Sequence, residues 1–250
     1  MRGDVAGVLD VDGVLFDIDD TLVDTRAAFA AALAAVSAVY LPHLRDDQHA
    51  DVLAHWRADV GGHYRAYTRG EVSFRTQRMA RIAALHVEFG GPQIDDAEYE
   101  AWDAAFGEAF EGAWRAFDDA LDAVERIAAA GLLVGALSNA SVEHQVRKLR
   151  RVGLERVPML VGVDTLGVGK PDPRVFALAC ERLGTAPGRT VYVGDELDID
   201  ALAATRAGLR GAWLDRPGTR RGGAHLEDPA RAGDVPVLPS LTALADLLGV

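Results

Sequence analysis

Two carboxylates stand two residues apart in Val14-Leu15-Phe16-Asp17-Ile18-Asp19-Asp20-Thr21-Leu22, and the apolar run ahead of them suits a buried strand. Alternate side chains of a strand share a face, so Asp17 and Asp19 start on the same side. Two ionised acids that close repel each other unless a cation or a shared proton compensates. The pair therefore points to a divalent metal, or to one acid that donates a proton while the other stays charged. The plainer alternative is a strand end running into a polar turn.

Three later stretches offer what a phosphate site needs. Ser138 follows the apolar run 132–137 and precedes helical sequence, so its hydroxyl and the next backbone N–H groups could hold phosphate oxygens, although simple N-capping is the commoner use of such a serine. Lys170 lies in Val168-Gly169-Lys170-Pro171-Asp172-Pro173, where the prolines stiffen the loop and fix where the ammonium points; a lone loop lysine is ordinarily solvated. Asp195 and Asp200 belong to Gly194-Asp195-Glu196-Leu197-Asp198-Ile199-Asp200, which could also be only a charged helix start. The order Asp-x-Asp, Ser, Lys-Pro, Gly-Asp is what gives these fragments weight, because each sits at the end of an expected strand.

The elements that must carry these residues alternate. Strands are expected over 14–16, 132–137, 158–161, 190–193 and 211–214, with helices over 119–130, from 141 to about 152, from Pro171 or Pro173 to 183, over 198–207 and over 241–248. Strands alternating with helices imply right-handed crossovers and a mainly parallel sheet covered on both faces, an α/β, Rossmann-like core. Polar residues just after the strands fall at the carboxyl edge, where such sheets place ligands. Residues 216–234 read as a surface loop. Between the first strand and the second, residues 26–115 read as helix after helix, broken at Pro42, Gly61-Gly62, Gly70 and Gly90-Gly91-Pro92, and hold Trp56, Trp102 and Trp114. The chain thus divides into an α/β core of residues 1–24 and 116–250 and an inserted all-helical domain of residues 25–115. Within the insertion, residues 62–70 and 74–78 bring cations and aromatics together, a possible lining for an anionic or aromatic substrate, or an ordinary solvated helix face. His63 has no second His or Cys at ligand spacing.

Near the N-terminus, Val8-Leu9-Asp10-Val11-Asp12-Gly13 echoes the Asp-x-Asp pattern. Only Asp17 and Asp19 are followed by a cap (Asp24 or Thr25) and a long helix, so Asp10 and Asp12 are expected in an extension or outer turn. A formal net charge of −12 makes nucleic acid and acidic membranes poor partners and obliges any phosphate site to build its own positive field. The single cysteine, Cys180, excludes an internal disulfide and sits on an apolar helical face. Asp4, Asp10 and Asp12 occupy the place of a signal peptide's apolar run, and the longest apolar stretch, 29–41, is too short to span a bilayer; a cytoplasmic protein with no membrane partner is the expectation.

The ordered set Asp17-Ile18-Asp19-Asp20-Thr21, Ser138-Asn139, Gly169-Lys170-Pro171-Asp172-Pro173 and Gly194-Asp195 through Asp200 resembles the motifs of the haloacid dehalogenase (HAD) superfamily, and the insertion looks like the C1-type helical cap of its subfamily I. The resemblance implies Asp17 as the nucleophile forming an aspartyl-phosphate, and Asp19 as the acid that protonates the leaving oxygen and then activates water. It implies Mg²⁺ held by the carboxylates of Asp17 and Asp195 and the backbone carbonyl of Asp19. Ser138, Asn139 and Lys170 would bind the phosphoryl group, and Asp200 would orient Lys170 or metal-bound water. Dehalogenases of the superfamily lack the second acid of the first motif, so Asp19 favours a phosphatase acting on a small phosphomonoester, a sugar phosphate or nucleotide-like metabolite, as monomer or homodimer. A phosphomutase of the same superfamily and a catalytically silent ligand- or partner-binding protein are the alternatives.

Overall fold

The computed structural model describes residues 9–222 and 225–250; Asp4 and Val8 of the N-terminal echo lie outside them. Six strands, β1 (Gly13–Phe16), β2 (Leu133–Leu137), β3 (Met159–Val161), β4 (Thr190–Gly194), β5 (Arg210–Leu214) and β6 (Val237–Leu238), form one parallel sheet in the order β3-β2-β1-β4-β5-β6. All four residues of β1 are buried, which is why a central parallel strand is continuously apolar rather than alternating. From β1 the chain works outward through β2 to β3, then returns to lay β4 on the other side of β1. The strand order reverses there, and the crevice of such a sheet opens at the carboxyl ends of the two strands flanking the reversal.

Five helices, α1 (Thr25–Tyr40), α2 (His49–Ala58), α3 (His63–Thr68), α4 (Phe74–Phe89) and α5 (Asp96–Gly112), interrupt the chain between β1 and α6 (Ala120–Ala129), which leads into β2. After β2 come α7 (Val142–Arg151), β3, α8 (Val163–Leu166), α9 (Pro173–Leu183), β4, α10 (Leu202–Arg206), β5, β6 and α11 (Leu241–Leu247). The described residues separate into two compact units: 9–23, 116–220 and 226–250 make the α/β unit, and 24–115 with 221, 222 and 225 make the helical one.

In the α/β unit, α9 and α10 cover one face of the sheet. Leu15, Leu137, Val161 and Tyr192 from four strands pack with Val175, Phe176, Ala179 and Cys180 of α9 and with Ala203 and Ala204 of α10. Cys180 is therefore a packing residue, and burial pushes its thiol up in pKa. Right-handed crossovers in the opposite sense put α6 on the other face, where it packs on α11.

The helical unit is organised by the spacing of its aromatics. Trp102, Phe106 and Phe110 recur every fourth residue of α5 and so share one face. Trp102 stacks on Phe106 with centroids 5.1 Å apart, and Trp56 of α2 stacks on Trp102 at 5.9 Å. Phe29 of α1 lies 4.8 Å from Phe110. Local signals set the ends: Asp24 accepts from the Ala27 N–H at 2.9 Å to start α1, Asp95 and Glu98 form a reciprocal capping box on α5, and Gly90 closes α4 in a left-handed conformation.

Three features differ from the sequence reading. A short helix, α8, stands between β3 and Lys170, so the lysine comes from the loop after that helix and not from a strand end; the four residues of α8 are too few to show a period. The sheet continues past β5 into β6, a two-residue strand that falls after the expected loop and is too short to show any periodicity. The helix expected over 198–207 opens with a wide π-type turn, Leu197–Ala201, before α10. In the helical unit, Trp102→Ala is expected to lower stability by about 3–5 kcal/mol, because the stack cannot close over the lost ring; chemical denaturation followed by fluorescence checks this.

Candidate active site

β1 stops at Phe16, but the ladder carries one step further: the Asp17 N–H donates to Val193 O at 2.9 Å. The chain then turns sharply. Ile18 O accepts from the N–H groups of Leu22 and Val23, both at 3.0 Å, and Asp20 takes the left-handed conformation, φ 59°. This delivers Asp17 into a buried position, 5% exposed, while the Asp19 side chain remains 26% exposed.

Lys170 reaches Asp17 from the loop before α9. Its Nζ donates to Asp17 Oδ1 at 2.6 Å, Asp200 Oδ1 at 2.6 Å and the Tyr192 hydroxyl at 2.8 Å. An ammonium has three N–H bonds, so these acceptors saturate it. Tyr192 passes its own proton to Leu137 O at 3.1 Å, and Asp200 Oδ2 accepts the Glu196 N–H at 3.0 Å. Two glycines let the backbones close in: a Cβ on Gly169 would come within 2.3 Å of Asn139 Oδ1, and one on Gly194 would come within 2.3 Å of Asp200 Oδ2.

Ser138 and Asn139 follow β2. The Ser138 hydroxyl accepts from Ala140 N at 3.2 Å and from Gln145 Nε2 at 2.8 Å. The Asn139 amide staples two loops, accepting the Lys170 N–H at 2.6 Å and donating to Lys170 O at 3.0 Å. Asp195 stands at the end of β4, and its carbonyl accepts from the indole of Trp213 at 2.9 Å.

The electrostatics follow from two buried carboxylates, Asp17 and Asp200, sharing one ammonium. Burial raises the Asp17 carboxyl to about 7; Lys170 opposes that rise, while Asp200 and Asp19 add to it. Burial also works against the charge on Lys170, but Asp17 and Asp200 outweigh it and hold its pKa well above the ordinary value. One negative charge is left in excess. Asp17, Asp195 and Asp200 each bring a carboxylate oxygen within 4.8 Å of the others, and an all-oxygen, anionic donor set of this kind suits a hard divalent cation. In this geometry the third carboxylate of the cluster is Asp200, whereas the Asp19 side chain turns to Lys148 Nζ at 2.5 Å and Gln145 Nε2 at 2.7 Å.

Gln145, Lys148 and Tyr192 were not singled out from the sequence. Gln145 carries a signal, since it occupies an apolar position of the stripe Val142, Gln145, Leu149 on α7, which Val152 continues at the C-cap. Asp10 and Asp12 lie at the opposite end of the sheet, ahead of β1, where Arg189 Nη1 meets Asp10 at 2.9 Å and Arg189 Nε meets Asp12 at 2.6 Å. Among the cations noted in the insertion, Arg69 pairs with Glu71 and Arg75 with Asp96 and Glu100, while Arg78 is largely buried against the rings of Trp56, Phe74 and Phe106.

The site is thus built at the carboxyl edge of an open, parallel α/β sheet, with acids after β1 and β4 and a lysine brought in from the loop between α8 and α9, and comparison with known sequences specifies its family. The description "haloacid dehalogenase-like hydrolase" matches residues 11–208, and the chain belongs to that family. It is 30% identical over 238 residues to N-acetylmuramic acid 6-phosphate phosphatase of Pseudomonas aeruginosa, covering 94% of this chain and 93% of that protein. It is also 30% identical over 223 residues to phosphoglycolate phosphatase of Escherichia coli, with 82% and 81% covered. The fold matches that of the magnesium-bound HAD-hydrolase YfnB of Bacillus subtilis, with a TM-score of 0.74 at 22% identity over 96% of this chain and 99% of that one. No helix among the described residues is long and apolar enough to cross a membrane.

The raised pKa of Asp17 has a sign that can be worked out. Its folded value, about 7, lies above the ordinary 3.8, so its stabilising contribution is fully present below about pH 4 and is lost as pH rises through 7. In EDTA, stability is expected to fall across that window, and Asp17→Asn to flatten the fall. A divalent cation at about 100 times its Kd should add about 2.7 kcal/mol. Thermal unfolding at pH 5 and pH 8 checks this: the gain should be larger at pH 8, where Asp17 is ionised, and much reduced in Asp195→Asn.

Proposed function

We propose that this protein is a Mg²⁺-dependent phosphatase that hydrolyses a small-molecule phosphomonoester through an aspartyl-phosphate. The observation that carries the reading is the buried Asp17 carboxylate, held by Lys170 and clustered with Asp195 and Asp200, with a second acid, Asp19, in the same turn. The phosphatases among its relatives support it, as does the magnesium in a protein of the same fold.

In this mechanism Asp17 attacks phosphorus as the bond to the leaving oxygen breaks, and Asp19 gives that oxygen its proton, so that an alcohol leaves. Water then attacks the aspartyl-phosphate, Asp19 takes its proton, and inorganic phosphate leaves with Asp17 restored. Lys170, saturated by Asp17, Asp200 and Tyr192, keeps the nucleophile's carboxylate oriented and partly neutralised, and meets the phosphoryl oxygens as Asp17 gives up charge. Ser138 contributes its hydroxyl to those oxygens. Asn139 contributes its backbone N–H, while its amide keeps the Lys170 loop in place. Mg²⁺ would be held by Asp17, Asp195 and the backbone carbonyl of Asp19, with Asp200 behind Lys170; it supplies positive charge to oxygens that become more negative as the bond breaks. The helical unit serves as the cap that selects the substrate.

Phosphate release from a panel of alkyl, sugar and aryl phosphomonoesters, with Mg²⁺ and with EDTA, tests the assignment. Turnover is expected only with metal, to fall by at least about 10⁴-fold in Asp17→Asn, and to stay at the wild-type level in Asp10→Ala. No release from any ester by a folded, metal-binding protein would replace this reading with a phosphomutase or a non-catalytic binder.

A further inference from the structure

Both oxygens of Asp19 are taken by one helix. Lys148 Nζ lies 2.5 Å from Oδ1 and Gln145 Nε2 lies 2.7 Å from Oδ2. The same Gln145 amide nitrogen donates to Ser138 Oγ at 2.8 Å, so a single NH₂ with two hydrogens ties the acid of the first loop to the hydroxyl of the second. Gln145 and Lys148 are three residues apart on α7 and therefore share a face, and both are buried, 0% and 1% exposed.

Helix stability alone does not account for this. The last turn of α7 also carries Arg150 and Arg151, both exposed, which already complement the helix dipole. Lys148 alone among these bases turns inward, and its desolvated ammonium needs a carboxylate partner. A buried glutamine on the stripe that otherwise packs Leu149 needs hydrogen-bond acceptors for its NH₂ group.

We propose that Gln145 and Lys148 are positioning residues for Asp19. They fix the direction of its carboxyl group, which takes a proton from solvent before turnover, so that this proton meets the leaving oxygen of the phosphomonoester as its bond to phosphorus breaks, and they couple that direction to Ser138. This rests on the phosphatase reading. Proton delivery matters only when the departing oxygen needs a proton: an alkoxide cannot leave without one, whereas 4-nitrophenolate can. Loss of positioning should therefore depend on the leaving group, which loss of packing or of phosphate affinity would not.

The experiment compares kcat/KM, which reports steps up to formation of the aspartyl-phosphate, for an alkyl phosphomonoester and for 4-nitrophenyl phosphate. Lys148→Met and Gln145→Met are expected to lose about 10–100-fold on the alkyl ester and less than about 3-fold on the nitrophenyl ester. Lys148→Arg should recover part of the alkyl-ester activity, and Lys148→Met should cost nothing further in an Asp19→Asn background. Unfolding midpoints of Asp19→Asn, Lys148→Met and the double variant should be non-additive, which reads the contact without turnover. Equal losses on both esters, or additive midpoints, would overturn the positioning role while leaving the phosphatase reading intact. A wild-type protein inactive on both esters would overturn both. Should Lys148→Met fail to fold, Gln145→Met carries the same expectation by itself.

Discussion

Asp17 and Asp200 have only Lys170 between them, and all three are buried. Charges in such a place are tolerated only when paired and hydrogen-bonded, because the loss of hydration is otherwise uncompensated. Here every N–H of the ammonium is used, the Tyr192 hydroxyl and the Glu196 N–H absorb more of the demand, and one negative charge still has no counterpart. The site resolves this in one of two ways. A proton can sit on Asp17, which is why its carboxyl rises to about 7, or a cation can sit among Asp17, Asp195 and Asp200. In the proposed mechanism the second keeps Asp17 ionised as the nucleophile.

Holding these groups together demands loops that approach more closely than side chains would allow. Three of the loops arise at the ends of β1, β2 and β4, which parallel pairing in register brings to one edge, and the fourth, bearing Lys170, reaches that edge from the end of α8. Fine adjustment is then made by Asn139, which grips both backbone polar groups of Lys170, and by Gly169 and Gly194, whose missing side chains leave room for Asn139 and Asp200. A substitution at either glycine would act on the site through the backbone, without touching a charged group.

Much of this was legible before any coordinates. An apolar strand followed by paired acids, two further strand ends bearing Ser138 and Asp195, a Lys-Pro loop bearing Lys170 and a helical insertion suffice for a parallel sheet with its polar residues at one edge. What was not legible shares a physical character. Tyr192 lies in the continuous apolar pattern of β4, and nothing local marks its hydroxyl as a partner of Lys170. Lys148 lies among Arg147, Arg150 and Arg151 on a basic helix, and only its burial against Asp19, 129 residues earlier in the chain, separates it from its neighbours. Gln145 is the intermediate case, a polar residue on an apolar stripe. β6 is too short for any period to show.

The two buried lysines impose an order on binding. Lys170 is saturated by Asp17, Asp200 and Tyr192, and the charge of Lys148 is paired with Asp19, so neither ammonium is without a counter-charge when a phosphate dianion arrives. The chain as a whole, at −12, repels that dianion as well. An anionic substrate therefore meets a local field that is negative until the excess charge among Asp17, Asp195 and Asp200 is neutralised. In the proposed mechanism metal affinity and substrate affinity are linked through that excess charge, and by reciprocity each strengthens the other. The acid that remains outside the cluster, Asp19, is free of this requirement because Lys148 compensates it separately. In the proposed mechanism that separation leaves one carboxylate to meet phosphorus and another to handle the proton, two tasks that a single shared charge network would set against each other.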